Sequence, residues 1–289
     1  MNRLICIVSL TLTLLIQGCA QIAPEPATEA QSQAGLSECC TRMEDYPRWF
    51  VDVSRVFAPQ VGTVLSHIAW RGGYLKSKQA AQNAILSSLQ PLDIVLVSSK
   101  GRTSGQLIPG LFGHAAIYLG TQSQMQDLGV WTSAAIKPHA ADVENGKIFI
   151  EADQKGVHLS PASIVLNTDR VAILRPEFST NMRRREIIRD YFRFIGADFD
   201  FLFDVDSPDC TFCTELIHRV MPELDLPIQD IYGVRTIIPD RVAVAAIRHE
   251  VGLSLVGYIK ADLKTWRQAS GKALAEDIAV TWFKRQQPD

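Results

Sequence analysis

Cys213 and His114 are the residues of this sequence whose types and settings could do covalent chemistry together. Cys213 stands in Phe212-Cys213-Thr214-Glu215-Leu216-Ile217, which reads as the first turn of a helix. His114 stands in Gly113-His114-Ala115-Ala116-Ile117-Tyr118-Leu119-Gly120, which reads as a strand carrying one imidazole. A sulfur anion at a helix N-terminus is stabilised by the unpaired N–H groups and the positive end of the dipole. A neighbouring imidazole takes and returns protons, so the pair has the makings of a nucleophile and its base. Its chemistry would be attack on a carbonyl carbon through a thioester. Plainer readings compete: a free Cys is commonly a small buried hydrophobe, and a strand His can be a satisfied core residue. His139 and His158 are alternative bases, while His67, His218 and His249 read as helix-surface or packing residues.

The elements that must position these residues follow from the pattern around them. Short apolar runs at 92–97, 114–119, 147–152, 157–159 and 170–174, broken by Gly, Asn and Asp, predict a curved, partly closed antiparallel sheet. The stretch 121–145, with Trp131 and few strand signals, reads as an excursion of the kind found at active-site rims. Ser179 to Asn181 offer a cap for a helix through Ile195. Ile187, Ile188, Tyr191 and Phe192 lie on its one side and Arg183-Arg184-Arg185 form a solvated first turn; Gly196 ends it. The aspartates at 204–209 lack the spacing of a calcium loop and read as turn formers leading into the Cys213 helix. Upstream, 44–89 reads as helical on Trp49, Val53, Val56, Phe57 and the run 80–89, interrupted at Gly72-Gly73, and its default role is a packing brace.

Papain-type enzymes place Cys before His, whereas here His comes first. That order resembles the circularly permuted papain-like families, and the sequence is most similar to the YiiX/YaeF-like group of bacterial envelope proteins. NlpC-type peptidases and the lecithin:retinol acyltransferases are more distant relatives. Four stretches carry the likeness over residues 90–245. They are Gln90-Pro91-Leu92-Asp93-Ile94-Val95-Leu96-Val97, the His114 strand, Phe149-Ile150-Glu151-Ala152 with Gly156-Val157, and Gly196-Ala197-Asp198-Phe199-Asp200-Phe201 leading into the Cys213 word. Pro239-Asp240 resembles the group's usual word after the nucleophile helix. The resemblance implies an α+β, NlpC-type permuted papain-like fold, its curved antiparallel sheet packed against the Cys213 helix, with the N-terminal helices as an addition. It further implies Cys213 as nucleophile, His114 as base, Glu151 as the group that orients the imidazole, and no cofactor or metal. Phe199 departs from the group by standing where a Tyr is usual, and Cys210 departs by lying three residues before the nucleophile.

Strand alternation tests these roles internally, since successive side chains face opposite sides. His114 shares a face with Ala116 and Tyr118, and Glu151 shares one with Phe149, so pairing the two strands would bring them together. Asp153 lies on the same face and is the alternative to Glu151. Tyr118 reads as core or cleft lining, and Glu215 as a first-turn anion complementing the helix dipole.

At the start, Met1-Asn2-Arg3, the apolar run 4–16 and Ile16-Gln17-Gly18-Cys19 read as a lipoprotein signal. Residues 1–18 would be removed, Cys19 lipidated, and 19–43 left as a tether to one domain over 44–289. Ala20 favours the outer membrane, facing the periplasm. A net charge of −2 argues against a dedicated nucleic-acid surface. Cys39, Cys40, Cys210 and Cys213 then remain in an oxidising compartment, where Cys210 could pair with Cys39 or Cys40, or with Cys213 as a redox C-x-x-C. The function expected is a lipid-anchored cysteine amidase, peptidase or acyltransferase, membrane-bound through Cys19 and acting on a cell-wall peptide, an acylated lipid or a small amine. The competing expectation is a silent member of the same fold that binds lipid or peptidoglycan.

Overall fold

The computed structural model describes Leu36, Cys39, Cys40, Ala58 and residues 69–101, 110–177 and 180–286. The signal segment, Cys19, most of the tether, His67 and the helical reading at Trp49, Val53, Val56 and Phe57 lie outside the described residues.

Eleven strands occur among the described residues: β1 Ile94–Ser98, β2 His114–Tyr118, β3 Phe149–Asp153, β4 Gly156–Ser160, β5 Arg170–Pro176, β6 Asp198–Phe199, β7 Cys210–Thr211, β8 Gln229–Ile231, β9 Val234–Thr236, β10 Leu253–Ala261 and β11 Trp266–Ala269. Seven of them form one antiparallel sheet in the order β11-β10-β5-β1-β2-β3-β4. The five strands expected from the sequence are all present. Expected closure of the sheet is not: among the described residues it is open, with β4 and β11 at its edges. The β10–β11 pair and the helix Gly271–Gln286 extend the fold beyond residue 245.

Alternation divides this sheet cleanly. Ile94, Leu96, Ala115, Ile117, Ile150, Ala152, Ala172 and Leu174 pack into the main core with the helices Asn181–Phe194, Cys213–Val220, Pro239–Ile247 and Gly271–Gln286. Val95, Val97, Ala116, Phe149, Val171 and Ile173 face the other way, under Ala81 and Ile85 of the helix Gln79–Ser88. A sheet covered on both faces explains why β1 is an unbroken apolar run. The Gln79–Ser88 helix is therefore a brace for the second face.

One expectation about surface segments changes and another is extended. The excursion 121–145 is helical, at Gln122–Asp127 and Ala140–Glu144, and sends Met125, Val130, Ile136 and Val143 into the main core. The three arginines keep solvent exposure, Arg185 most of all, and are tied down as well. Arg183 holds Glu223 through Nε at 2.7 Å and a second nitrogen at 2.9 Å, Arg184 donates to the Pro91 carbonyl, and Arg185 donates to that of Leu128. The helix they open is capped by the Thr180 side chain, which accepts from the Arg183 N–H.

The cysteines also differ from the disulfide alternatives. Cys39 is bonded to Cys40, and Cys210 and Cys213 are free thiols. Among the described residues no helix is long and apolar enough to cross a membrane.

Candidate active site

The Cys213 helix is delivered along the free edge of the sheet. The Val157 N–H donates to the Ala197 carbonyl and the Gly196 N–H to that of Val157, so the chain leaving the Asn181–Phe194 helix continues β4. Gly156 has φ +83°, and a Cβ there would stand 2.4 Å from the Ala197 carbonyl oxygen, so this approach needs glycine. Strand β6 then pairs in parallel with β7, Cys210–Thr211, and two residues later the chain reaches Cys213.

Cys213 is the first residue of its helix, with Phe212 as N-cap. Phe212 has no side-chain acceptor, so the cap is half a capping box in which Glu215 Oε2 accepts the Phe212 N–H at 3.2 Å. The N–H groups of the first turn have no intrahelical acceptor. Thr214 anchors the helix from its other side, donating its hydroxyl to the Ile237 carbonyl at 2.7 Å. Glu215, expected as a first-turn anion, stands in that turn and is fully buried. Burial pushes its carboxyl up to about 7, over the opposing pull of Arg219 and the Phe212 N–H.

Alternation assigns His114 and Glu151 to the Ala116/Phe149 side of the sheet, while the Cys213 helix packs on the main-core side, and the imidazole and the sulfur interact where β2 and that helix both begin. The helix packs on β2 and β3. Ala116 pairs with Glu151 across the ladder, which makes His114 the diagonal neighbour of Glu151. His114 Nε2 lies 2.7 Å from Glu151 Oε2, and the Cys213 sulfur is near enough to act on the charge of the ring. With Nε2 taken, Nδ1 is the nitrogen left for the sulfur. Burial opposes charge on this imidazole, but its interactions with Cys213 and Glu151 and their negative charges hold it well above the ordinary histidine value. For Glu151 burial likewise disfavours the anion, yet His114, helped by Ser160 and the charge of His158, holds it down at about 2. The ring keeps 26% of its side-chain surface open, so it is reachable from solvent.

Each rival has its own place. Asp153 accepts from the Lys155 N–H in the β3–β4 turn. His158, directly across from Glu151, has Nδ1 3.0 Å from the Gly156 carbonyl oxygen. The His139 ring packs on Phe192 at 5.8 Å. Tyr118 is buried and donates its hydroxyl to Gln124 Oε1, which makes it core rather than cleft.

Sequence reasoning singled out Pro239-Asp240 only as a word, and its physical role is visible in the fold. Asp240 is buried and accepts the Leu111 and Phe112 N–H groups at 2.7 and 2.8 Å and the Trp282 indole N–H at 2.7 Å. It thereby fixes the chain just before His114. Gly110, at φ +104°, passes so close that a Cβ would lie 2.4 Å from an Asp240 carboxylate oxygen. Asp93 does similar work at the start of β1, accepting two hydrogen bonds from Arg175 on β5 and one from the Gln90 N–H.

A helix-tip thiol, an imidazole on the opening residue of a strand and a carboxylate on the next strand, met in the order His, Glu, Cys, form the arrangement that the resemblance to permuted papain-like proteins implied. A family model described as the permuted papain-like amidase enzyme, YaeF/YiiX, C92 family, matches residues 88–245. The chain belongs to that family, and the mixed α+β architecture with its large antiparallel sheet is the family's papain-like permuted fold. No curated protein and no solved structure matches the chain.

Proposed function

We propose that this amidase-family hydrolase works through Cys213 as nucleophile, His114 as proton carrier and Glu151 as the group that orients and charges the ring. The observation that supports it best is that His114 Nε2 sits 2.7 Å from Glu151 Oε2 while the Cys213 sulfur acts on the same ring. In this reading the sulfur anion attacks an amide carbonyl carbon. The carbonyl oxygen takes up the electron pair beside the Cys213 N–H at the helix tip. Imidazolium then gives its proton to the departing amine, the C–N bond breaks and a thioester remains. Water, deprotonated by the now neutral ring, attacks the thioester, releases the carboxylic acid and restores the thiol. A lipid or amine nucleophile in the place of water would turn the same intermediate into an acyl transfer.

The substrate is a cell-envelope amide: a wall peptide or an acylated lipid or amine. What supports this is the sequence Ile16-Gln17-Gly18-Cys19, which would acylate Cys19 and hold the domain at a membrane, outer-membrane-bound and facing the periplasm. Palmitate incorporation that survives Cys19→Ala would remove the anchor from the proposal.

The site is tested by iodoacetamide labelling at pH 5.5, read by peptide mass spectrometry. Cys213 should be labelled in the native chain and Cys210 hardly at all, because burial and the nearby Asp200 charge push the Cys210 thiol up. In His114→Ala the Cys213 rate should fall by roughly a hundredfold, as the sulfur loses the group that takes its proton. Equal rates in the two proteins would remove His114 from the mechanism.

A further inference from the structure

The helix Gly271–Gln286 lies outside the matched residues 88–245, yet two of its side chains reach the chain that leads into His114. Trp282 is fully buried, and its indole N–H donates to Asp240 Oδ2 at 2.7 Å. The same oxygen accepts the Leu111 N–H, while Oδ1 accepts that of Phe112. Asp277 on the same helix accepts the Tyr258 hydroxyl at 2.7 Å, and the Tyr258 ring meets that of Phe112 edge-on, 6.5 Å between centroids. On either side of these two residues, Lys100 Nζ donates to the Gly110 carbonyl at 2.7 Å and the Gly113 N–H donates to the Val97 carbonyl at 3.1 Å. Each residue from Gly110 to Gly113 is therefore held through its main chain, and the next residue is His114, which opens β2.

A carboxylate keeps such a grip only if it is itself held. Asp240 stands fully buried in the first turn of the helix Pro239–Ile247, where burial works against its charge. Two of its donors, the Leu111 and Phe112 N–H groups, belong to the chain that it must place and so cannot fix it independently. The indole N–H can, because it sits on a large rigid ring packed in the main core with Leu274 and Ile278. Without that donor a buried oxygen would lose part of its compensation, and the carboxylate could turn with the segment instead of holding it.

We propose that Trp282 is a positioning residue for His114, acting through Asp240 on the Leu111–Phe112 segment, so that the C-terminal helix is part of the active-site framework. The imidazole must stay within hydrogen-bond distance of Glu151 Oε2 and in reach of the Cys213 sulfur at once, and its backbone is placed by the segment just before it. A misplacement of about 1 Å at a reacting group can cost about a hundredfold in rate, so a partial loosening matters. This catalytic consequence rests on the proposed function; the coupling of the helix to Leu111 and Phe112 does not.

The coupling is read by amide hydrogen exchange in the full chain, followed by NMR. Trp282→Phe keeps an aromatic ring and removes the N–H. Exchange at Leu111 and Phe112 should accelerate at least about tenfold more than at Leu96 and Ile173, whose strands lie inside the sheet and report any general loss of stability. Equal acceleration at all four, or none at Leu111 and Phe112, overturns the proposal. Asp240→Asn gives the reciprocal reading even where the first variant does not fold: the Trp282 indole N–H should exchange faster together with the two amides, and an indole that is unaffected overturns the proposal. The consequence is read by iodoacetamide labelling of Cys213. Trp282→Phe should slow it by roughly tenfold, and adding Trp282→Phe to Asp240→Asn should slow it no further, since both act along one path. Phe283→Ala, at the exposed neighbour on the same helix, should leave the rate unchanged. Multiplying effects in the double variant, or equal slowing by Phe283→Ala, would show that the helix acts by bulk packing, and the positioning role would fall. If His114→Ala labels like the native chain the proposed function fails, and hydrogen exchange still decides the coupling.

Discussion

Glu151 and Glu215 are both buried carboxyl groups close to Cys213, and they have shifted in opposite directions. For each the largest influence is burial, which disfavours the anion. Glu151 nevertheless falls to about 2, because His114 answers it with a short hydrogen bond and a positive charge, and His158 adds a second charge. Glu215 rises to about 7, because burial outweighs the pull of Arg219, whose guanidinium also donates to the carbonyls of Ser207 and Pro208. Desolvation is common to both, and the partner decides the outcome. One carboxylate is therefore a fixed charge for the imidazole, while the other is a helix cap that can hold a proton near neutrality.

The comparison breaks most readily at Glu151. Glu151→Gln keeps an acceptor for the His114 N–H but removes its charge. Labelling of Cys213 at pH 5.5 should slow by roughly a hundredfold, with the rise of the labelling profile moved to higher pH. An unchanged profile would mean that the carboxylate does not tune the ring. The same variant sharpens the linkage. A carboxyl depressed from 4.5 to about 2 contributes stability that is present above 4.5 and lost as pH falls through about 2. Urea unfolding of the variant should lack that part of the acid limb.

Asp240 is a third buried carboxyl, raised by burial despite three donors, and it works through backbone geometry. Asp240→Asn can serve only some of those donors and should cost on the order of 2 kcal/mol in urea unfolding. It should also slow labelling of Cys213, since the chain that leads into His114 loses its clamp. Normal stability with normal labelling would show that the clamp is dispensable.

The smallest effect is expected at Glu215→Gln. Between 4.5 and about 7 the folded protein holds a proton that the unfolded chain has shed, so stability falls as pH rises through that window. The variant should remove this slope and be relatively more stable at pH 8. The gain should be about 1 kcal/mol, limited by the loss of the Arg219 ion pair. A slope that persists in the variant would place the titrating group elsewhere.

Much of this arrangement was legible in the sequence. Alternation along Gly113–Gly120 and Phe149–Asp153 put His114 and Glu151 on one face, because the period of two is a property of the strand itself. The helical tip under Cys213 was equally local. The β10–β11 pair, the sheet edge that the 196–199 segment extends, and the grip of Asp240 on Leu111 and Phe112 were not legible, since each joins segments far apart in the chain. The partners of the arginine cluster were hidden for the same reason: Glu223 and the carbonyls of Pro91 and Leu128 come near it only through folding.

The sequence by itself determined which side chains can do chemistry here, because an imidazole on a strand and a thiol at a helix start follow from residue type and short-range periodicity. Tertiary structure alone decided how they are wired. The choice of Glu151 over Asp153 for His114, the position of His158 opposite Glu151, and the opposite shifts of Glu151 and Glu215 depend on strand register and on which charges burial brings together. Those are sums over distant partners in a medium that screens weakly, and no local stretch of sequence contains them.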